Sequence, residues 1–230
     1  MKFQLGQDLI DVARGKKKMI LIDKETAQAM KKVEKLTAQL KSKKACVKLH
    51  VACGKRYKEG WINIDNDPKK EIEKLDLLWD ARKPLPFDNN SVDFIYNEHF
   101  LQCLTVKEAR SVIKDFMRVL KPKGVIRIAM PDIQTAIKRY SLEDTDWKQL
   151  KDSSKSNMVK KAKTKCELLN MDFRACGHKW LYDWSELEMR IKESGYKNIK
   201  QCALGKSEYK QLIGLETRGE ASNLIAEIVK

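Results

Sequence analysis

Asp65 lies near the end of a stretch, residues 47–67, whose residue types suit a nucleotide-like ligand. Val-Lys-Leu-His-Val-Ala reads as a strand, and Cys53-Gly54 as the tight turn that ends it. Trp61-Ile-Asn-Ile then reads as a second strand, with Asp65 at its tip. In a Rossmann-like sheet, a sharp turn after the first strand leaves room for a ligand. An acid at the end of the second strand can accept two hydrogen bonds from a ribose diol. Asn97, Glu98 and His99 fall just past the fourth strand, at the carboxyl edge where open α/β sheets bind ligands. A histidine titrates near neutrality and can take a proton from a hydroxyl. His178, in His-Lys-Trp-Leu-Tyr-Asp, is the leading candidate for that base, against a structural role in anchoring its segment. His99 is the second candidate, against a core role. Tyr182 and Asp183 are weaker candidates for substrate contact, and His50 reads as a satisfied strand histidine.

The elements that must position these residues follow from periodicity and caps. Met19-Ile-Leu-Ile22 reads as a short strand or an apolar anchor. Asp23 reads as the N-cap of a helix to Lys41 that turns Met30, Val33, Leu36 and Leu40 to one side. Only about eight residues separate the first two strands, where a parallel crossover usually needs a dozen or more. The first crossover helix must therefore be vestigial, or the second strand displaced. Lys74–Trp79 reads as a third strand ending at Asp80, and Val92–Tyr96 as a fourth. Thr105-Val-Lys-Glu108 is a capping box. Behind it Ala109, Val112, Ile113, Phe116, Met117 and Leu120 form a helical stripe. Val125–Met130 is the fifth strand, and Pro131-Asp132 opens a helix toward Tyr140. Residues 141–165 are polar, lysine-rich and weakly patterned, which predicts a mobile lid or a partly disordered insertion. Asp183 and Glu186 cap a helix that Gly195 ends. Asn198–Ala203 and Ser222–Val229 read as a late antiparallel pair.

In this order, Leu-His-Val-Ala-Cys-Gly, Trp-Ile-Asn-Ile-Asp, Pro-Leu-Pro-Phe-Asp-Asn-Asn-Ser-Val-Asp-Phe-Ile-Tyr and Arg-Val-Leu-Lys-Pro-Lys-Gly-Val-Ile-Arg-Ile resemble the class I S-adenosylmethionine-dependent methyltransferases. More narrowly, the chain is similar to a group of predicted methyltransferases with an L-H-x-x-C-G first motif and a G-W-x-N-x-D second one. The resemblance covers residues 47–229, and the His-Lys-Trp-Leu-Tyr-Asp segment matches that group too. It implies a Rossmann-like, mostly parallel seven-stranded sheet with an antiparallel final strand. It divides the chain into a basic N-terminal extension with a helix (residues 1–45) and a methyltransferase-like domain (residues 46–230), with 141–182 as a lid or insertion.

The cofactor implied is S-adenosylmethionine. Its binding residues would be the turn Ala52, Cys53 and Gly54, the acid Asp65 with Asn66, then Asp80 with Ala81 near the adenine, and Asn97. No metal is implied. Methyl transfer from a sulfonium is a direct displacement, so alignment of donor and acceptor is most of the enzyme's work. Members of the group often accompany polysaccharide enzymes, which points to O-methylation of a small molecule or a glycan. The chain departs from the group in two places. Ala52 fills a position often occupied by glycine. His99-Phe-Leu-Gln-Cys103 stands where many relatives read H-x-L-E-H, without the acid and the second histidine.

The 230 residues suit one α/β domain with an appendage, enough chain to bury about 70% of its unfolded surface. No apolar run is long enough to span a membrane. No signal-peptide pattern opens the chain. Cys46, Cys53, Cys103, Cys166, Cys176 and Cys202 form no C-x-x-C pair, which predicts reduced thiols in a cytoplasmic protein. The net charge of +15 is concentrated: residues 1–45 hold twelve Lys/Arg against five Asp/Glu, and residues 147–165 seven Lys against one Asp. Two other functions compete with methylation of a small acceptor. One is a cofactor-fold protein that binds without turnover, motivated by the missing acid and histidine. The other is an RNA methyltransferase, motivated by the basic segments. Nucleic acid is the less favoured partner, because no Asn/Asp-Pro-Pro-aromatic tetrapeptide follows the fourth strand. Dinucleotide oxidoreduction lacks its G-x-G-x-x-G. Oligomeric state is not legible.

Overall fold

The structure, a computed structural model, describes residues 24–67, 74–154, 156–174 and 177–230. The strand or anchor expected at Met19–Ile22 and the cap expected at Asp23 lie outside the described residues.

Among the described residues, seven strands form one sheet: β1 (Lys48–Val51), β2 (Ile62–Asp65), β3 (Leu77–Leu78), β4 (Val92–Glu98), β5 (Leu120–Met130), β6 (Asn198–Gln201) and β7 (Leu224–Val229). Their order is β3-β2-β1-β4-β5-β7-β6. The first five strands are mutually parallel, and β7 runs antiparallel to both β5 and β6. The central strands are buried on both faces, as their near-continuous apolar runs require. β3 keeps only two residues of the strand expected over 74–79. β5 is longer than expected, because Leu120 already pairs with Val92 before the register shifts.

Among the described residues, one sheet face carries three helices: α1 (Lys24–Ser42), α2 (Val106–Val119) and, later in the chain, the helix Trp184–Glu193. The stripe of α1 differs from expectation. Ala29 and Val33 are buried and Leu36 and Leu40 pack against them, while Met30 is 41% exposed. Ala29 keeps the i, i+4, i+7, i+11 spacing that Met30 breaks. The Thr105–Glu108 capping box of α2 is formed in both directions, and its apolar stripe is buried as its spacing predicts.

After β5 come α3 (Ile133–Tyr140), α4 (Asp144–Ser153), α5 (Asn157–Lys161) and α6 (Lys165–Arg174), and then α7, the Trp184–Glu193 helix. The weakly patterned segment 141–165 thus carries two helices, Asp144–Ser153 and Asn157–Lys161, among its described residues. Its pattern is weak because α5 and α6 bury one residue each, Val159 and Leu168, and α4 none. These two residues and Ala162 form a small cluster of their own, against Trp147, Leu150 and Met158. Two lysines of the basic run serve the fold: Lys151 Nζ donates to Ala162 O at 2.7 Å, and Lys165 Nζ to Leu142 O at 2.6 Å.

The opposite sheet face has no helix among the described residues. Trp61, Tyr96, Val125, Ala129 and Ile225 are covered there by Leu212 and Leu215 of the segment between β6 and β7. That segment has only two 3₁₀ turns, Lys210–Leu212 and Gly219–Ser222. Buried charge pins it. Arg127 in mid-β5 binds Glu216 at 2.6 Å and Glu227 at 2.5 Å, and donates to Lys206 O at 3.0 Å. Lys58 Nζ donates to Leu215 O at 2.6 Å.

Gly124 tests the packing where β5 enters the sheet. A Cβ there would sit 2.8 Å from Leu120 Cδ2 and 2.9 Å from Lys121 O. The second contact is backbone and cannot rotate away. Gly124→Ala should therefore destabilise the fold by about 1–3 kcal/mol, read as a lower urea midpoint at unchanged m-value. An unchanged midpoint would show that the strand entry relaxes freely.

Candidate active site

The link between β1 and β2, residues 52–61, contains no helix, yet the two strands pair directly. Of the two alternatives, the vestigial crossover is the one found. Side chains do the work of a helix here. Asn63 accepts from Lys58 N at 2.8 Å and donates to Lys58 O, Trp61 O and Asp76 Oδ2 at 2.9, 3.0 and 2.9 Å. His50 Nδ1 lies 3.1 Å from Asn63 Oδ1. Burial, against the pull of that hydrogen bond, lowers the His50 pKa to about 4, so the ring is neutral. His50 is thus the satisfied strand histidine expected.

The turn at the end of β1 has a left-handed backbone at both Ala52 (φ 55°) and Gly54 (φ 54°). Gly54 meets this need without strain, and Ala52 bears a Cβ in a region that disfavours one. Asp65, 3% exposed at the tip of β2, holds the turn from below. Its carboxylate accepts from Gly54 N at 2.7 Å and Asp67 N at 3.1 Å. Cys53 is buried in the turn and Asn66 beside Asp65 is exposed. Asp80, past β3, accepts a bidentate fork from Arg82 and the Arg82 N–H, which holds its carboxyl below the usual range. Ala81 beside it is buried.

At the end of β4, Asn97 is fully buried, and neither atom of its side-chain amide has a partner among the described residues. Glu98 faces the other way. Burial pushes its carboxyl up, but the Thr217 and Ser222 hydroxyls and the Thr217 and Arg218 N–H groups outweigh this and bring it below the usual range. His99 turns the chain with φ 58°. Its Nε2 lies 3.0 Å from Ala221 O, so that nitrogen must carry the hydrogen. Burial, with the Arg218 charge, lowers the His99 pKa to about 4.

The chain returns to this edge after α6. His178 Nδ1 is 2.8 Å from Asp172 O. Lys179 N and Trp180 N both donate to Gln102 O, at 2.8 and 3.2 Å. The His178 charge is among those acting on His99, so the two rings lie within electrostatic reach. Tyr182 is buried, pairs with Asp132, and has its pKa pushed up to about 12 by burial. Asp183 caps α7 by accepting from Glu186 N at 2.8 Å. Both therefore serve the fold. The structure thus gathers the Ala52–Gly54 turn, Asp65, Asn66, Asp80, Ala81, Asn97, His99 and His178 at the carboxyl ends of β1 to β4 and the segment docked there. Sequence reasoning missed Arg127 and the partners of Glu98. A charged residue inside the apolar run Val-Ile-Arg-Ile-Ala-Met was the available signal, since a buried charge requires a buried partner.

A carboxyl-edge site on a 3-2-1-4-5-7-6 sheet with an antiparallel β7 is the architecture the resemblance implied. Residues 62–128 match the family model described as "Methyltransferase domain". A comparison with curated proteins finds no match. Among solved structures, an S-adenosylmethionine-dependent methyltransferase of Thermotoga maritima, named as a possible histamine N-methyltransferase, is 17% identical. The match covers 90% of this chain and 98% of that one, with a TM-score of 0.48. An S-adenosylmethionine-dependent methyltransferase of Archaeoglobus fulgidus is 15% identical, over 85% of this chain and 92% of that one, at a TM-score of 0.47. Phosphoethanolamine N-methyltransferase 2 of Haemonchus contortus, solved with S-adenosylmethionine, is 10% identical over 85% of this chain and 52% of that one, at 0.43. The sheet and the match of residues 62–128 to a methyltransferase domain agree with the resemblance read from the sequence.

The two neutral histidines set an acid limit. An unfolded histidine takes its proton near pH 6.5, whereas folded His50 and His99 resist until about pH 4. The unfolded state then binds more protons, so stability is full above pH 6.5 and is lost as pH falls through 4. For His50 the loss is on the order of 3 kcal/mol. Urea unfolding across this window should show a shallower acid slope for His50→Asn than for the wild type. Equal slopes would mean that His50 is not held neutral.

Proposed function

We propose that the chain methylates an oxygen of a small molecule or glycan, with His178 as the base. The observation that carries this is the 2.8 Å contact of His178 Nδ1 with Asp172 O. A carbonyl only accepts, so Nδ1 holds the hydrogen and Nε2 is left as the basic nitrogen. The residues that follow His178 are tied to the turn after β4, where Lys179 N and Trp180 N donate to Gln102 O. His99 is a poor base at neutral pH, because its ring stays neutral to about pH 4. Its role is to shape the site.

In this reading the cofactor lies across the carboxyl edge. The Ala52–Cys53–Gly54 turn takes the methionyl and ribose part, and Asp65, with Asn66, takes the ribose diol. Asp80 and Ala81 take the adenine side, and Asn97 faces the donor from β4. The cofactor supplies the methyl group on a sulfonium. The protein's residues align the acceptor oxygen with it, and His178 removes the acceptor's proton. A cytoplasmic location is part of the same proposal, supported by the free thiols of Cys46, Cys166 and Cys202. A nucleic-acid acceptor draws less support, because Lys151 and Lys165 of the basic run are spent on backbone carbonyls.

Two substitutions separate the parts. Asp65→Asn should weaken S-adenosylhomocysteine binding by about tenfold or more by calorimetry, with some loss of stability from the weakened turn. Unchanged affinity in the folded variant would remove Asp65 from the cofactor site. His178→Ala should leave that affinity within about twofold and slow turnover by roughly 10²–10⁴. Undiminished turnover would return His178 to anchoring its segment.

A further inference from the structure

The outer face of α1 carries a concentration of charge that the fold does not use. Residues 24–44 hold seven lysines against two acids, Glu25 and Glu34, with no arginine and no aromatic residue. Elsewhere lysines find partners: Lys121, Lys179 and Lys192 lie 2.8, 3.4 and 3.0 Å from Asp93, Glu108 and Glu188. Among the described residues, Lys31, Lys32, Lys35, Lys41, Lys43 and Lys44 are exposed and none meets an acid. Lys35 stands one helical turn from both Lys31 and Lys32, and like charges at these spacings weaken a helix. Lys24, Lys31 and Lys35 share one line along α1, at i, i+7 and i+11. Beside this row is a groove of about 590 Å³, between Thr26 and Met30 of α1 and the loop of Pro84, Pro86 and Phe87. Met30, the residue that left the buried stripe of α1, is exposed there. The groove walls are fixed. Arg118 donates to Leu85 O and Phe87 O, both at 2.7 Å, and Lys83 of the loop pairs with Glu25 of α1 at 2.9 Å.

We propose that this face of α1 docks on an anionic phospholipid membrane, with the lysines on the headgroups and Met30, at the groove, meeting the acyl boundary. The residue types select the partner. Lysine is a flexible point charge without a fixed fork, so the row reads negative charge and not the shape of one anion. A face without aromatic residues has nothing on which to stack a base. A nucleic-acid backbone would satisfy the lysines but leave Met30 and the groove unused. An anionic bilayer surface offers charge and hydrocarbon side by side. The contact is peripheral, because the apolar stripe of α1 stays packed on the sheet. It also does not depend on which acceptor the active site takes. Lys83, on the groove loop, stands three residues beyond Asp80, so the docked face adjoins the adenine side of the proposed cofactor site.

The test is co-sedimentation of the full chain with large vesicles, either of phosphatidylcholine mixed with phosphatidylglycerol or of phosphatidylcholine alone. The wild type should bind the anionic vesicles and stay in solution with the neutral ones. Its affinity should fall about tenfold or more between roughly 50 and 300 mM salt. Lys31→Gln combined with Lys35→Gln keeps good helix formers and should weaken binding about 25-fold, roughly fivefold for each lysine. Met30→Gln should weaken it about fivefold. Lys160→Gln combined with Lys161→Gln removes the same charge from exposed positions of α5, and should change binding by less than about twofold. No binding to the anionic vesicles would overturn the docking face. Equal losses for the two lysine pairs would overturn it too, by showing that net charge alone attracts the protein. A short RNA duplex that binds more tightly than the vesicles, with Met30→Gln making no difference, would overturn the membrane and give the lysine row to nucleic acid.

Discussion

The site depends on joining two adjacent parallel strands without a helix between them. Residues 52–61 must climb from the end of β1 back to the start of β2, and a helix would ordinarily satisfy the backbone on the way. Here Asn63 takes that role through Lys58 and Trp61, and Asp65 catches the Gly54 N–H at 2.7 Å. The same carboxylate closes the turn and is the one proposed to take the ribose. In that proposal cofactor binding and the local fold share one residue, so the turn could not loosen without blurring the site. Ala52, in a left-handed conformation with a Cβ, shows how tightly that turn is drawn.

The second face of the sheet makes a different trade. It is covered by a strap with only two short 3₁₀ turns, so hydrophobic burial alone has little to grip. Buried charge fixes the strap in place: Arg127 reaches Glu216 and Glu227, and Glu98 gathers Thr217, Arg218 and Ser222. Such pairs add little net stability against an apolar equivalent, but breaking one partner strands a buried charge at a cost of about 3–5 kcal/mol. The strap in turn holds His99 through Ala221 and Ser222. The tip of β4 is thereby set from both sides, by the strap and by the segment that carries His178.

Local signals were legible in the sequence. The capping box at Thr105, the Asp183 cap, Gly195 after α7, the short β1–β2 link and the late antiparallel pair each depend on a few neighbouring residues, and each is found. Distant partners were not legible. Nothing near Arg127 in the chain points to Glu216, 89 residues away, or near Glu98 to Thr217, 119 away. The helices of 144–174 were missed because each buries at most one residue, too few to print a period on the sequence. Of the candidate site, the residue types and their shared edge were readable from strand ends. The orphaned heads of Asn97 and Gln102 were not, because an unsatisfied atom is defined by everything around it.

The most direct measurement is thermal unfolding with S-adenosylhomocysteine, with NAD as the control. At a hundredfold excess over Kd, binding to the native state alone adds about 2.7 kcal/mol, a rise of roughly 5–10 °C for a chain of this size. A rise with S-adenosylhomocysteine and none with NAD is the result predicted. A folded protein that melts at the same temperature in both would contradict the account, because the helix-free turn closed by Asp65 would then hold no cofactor.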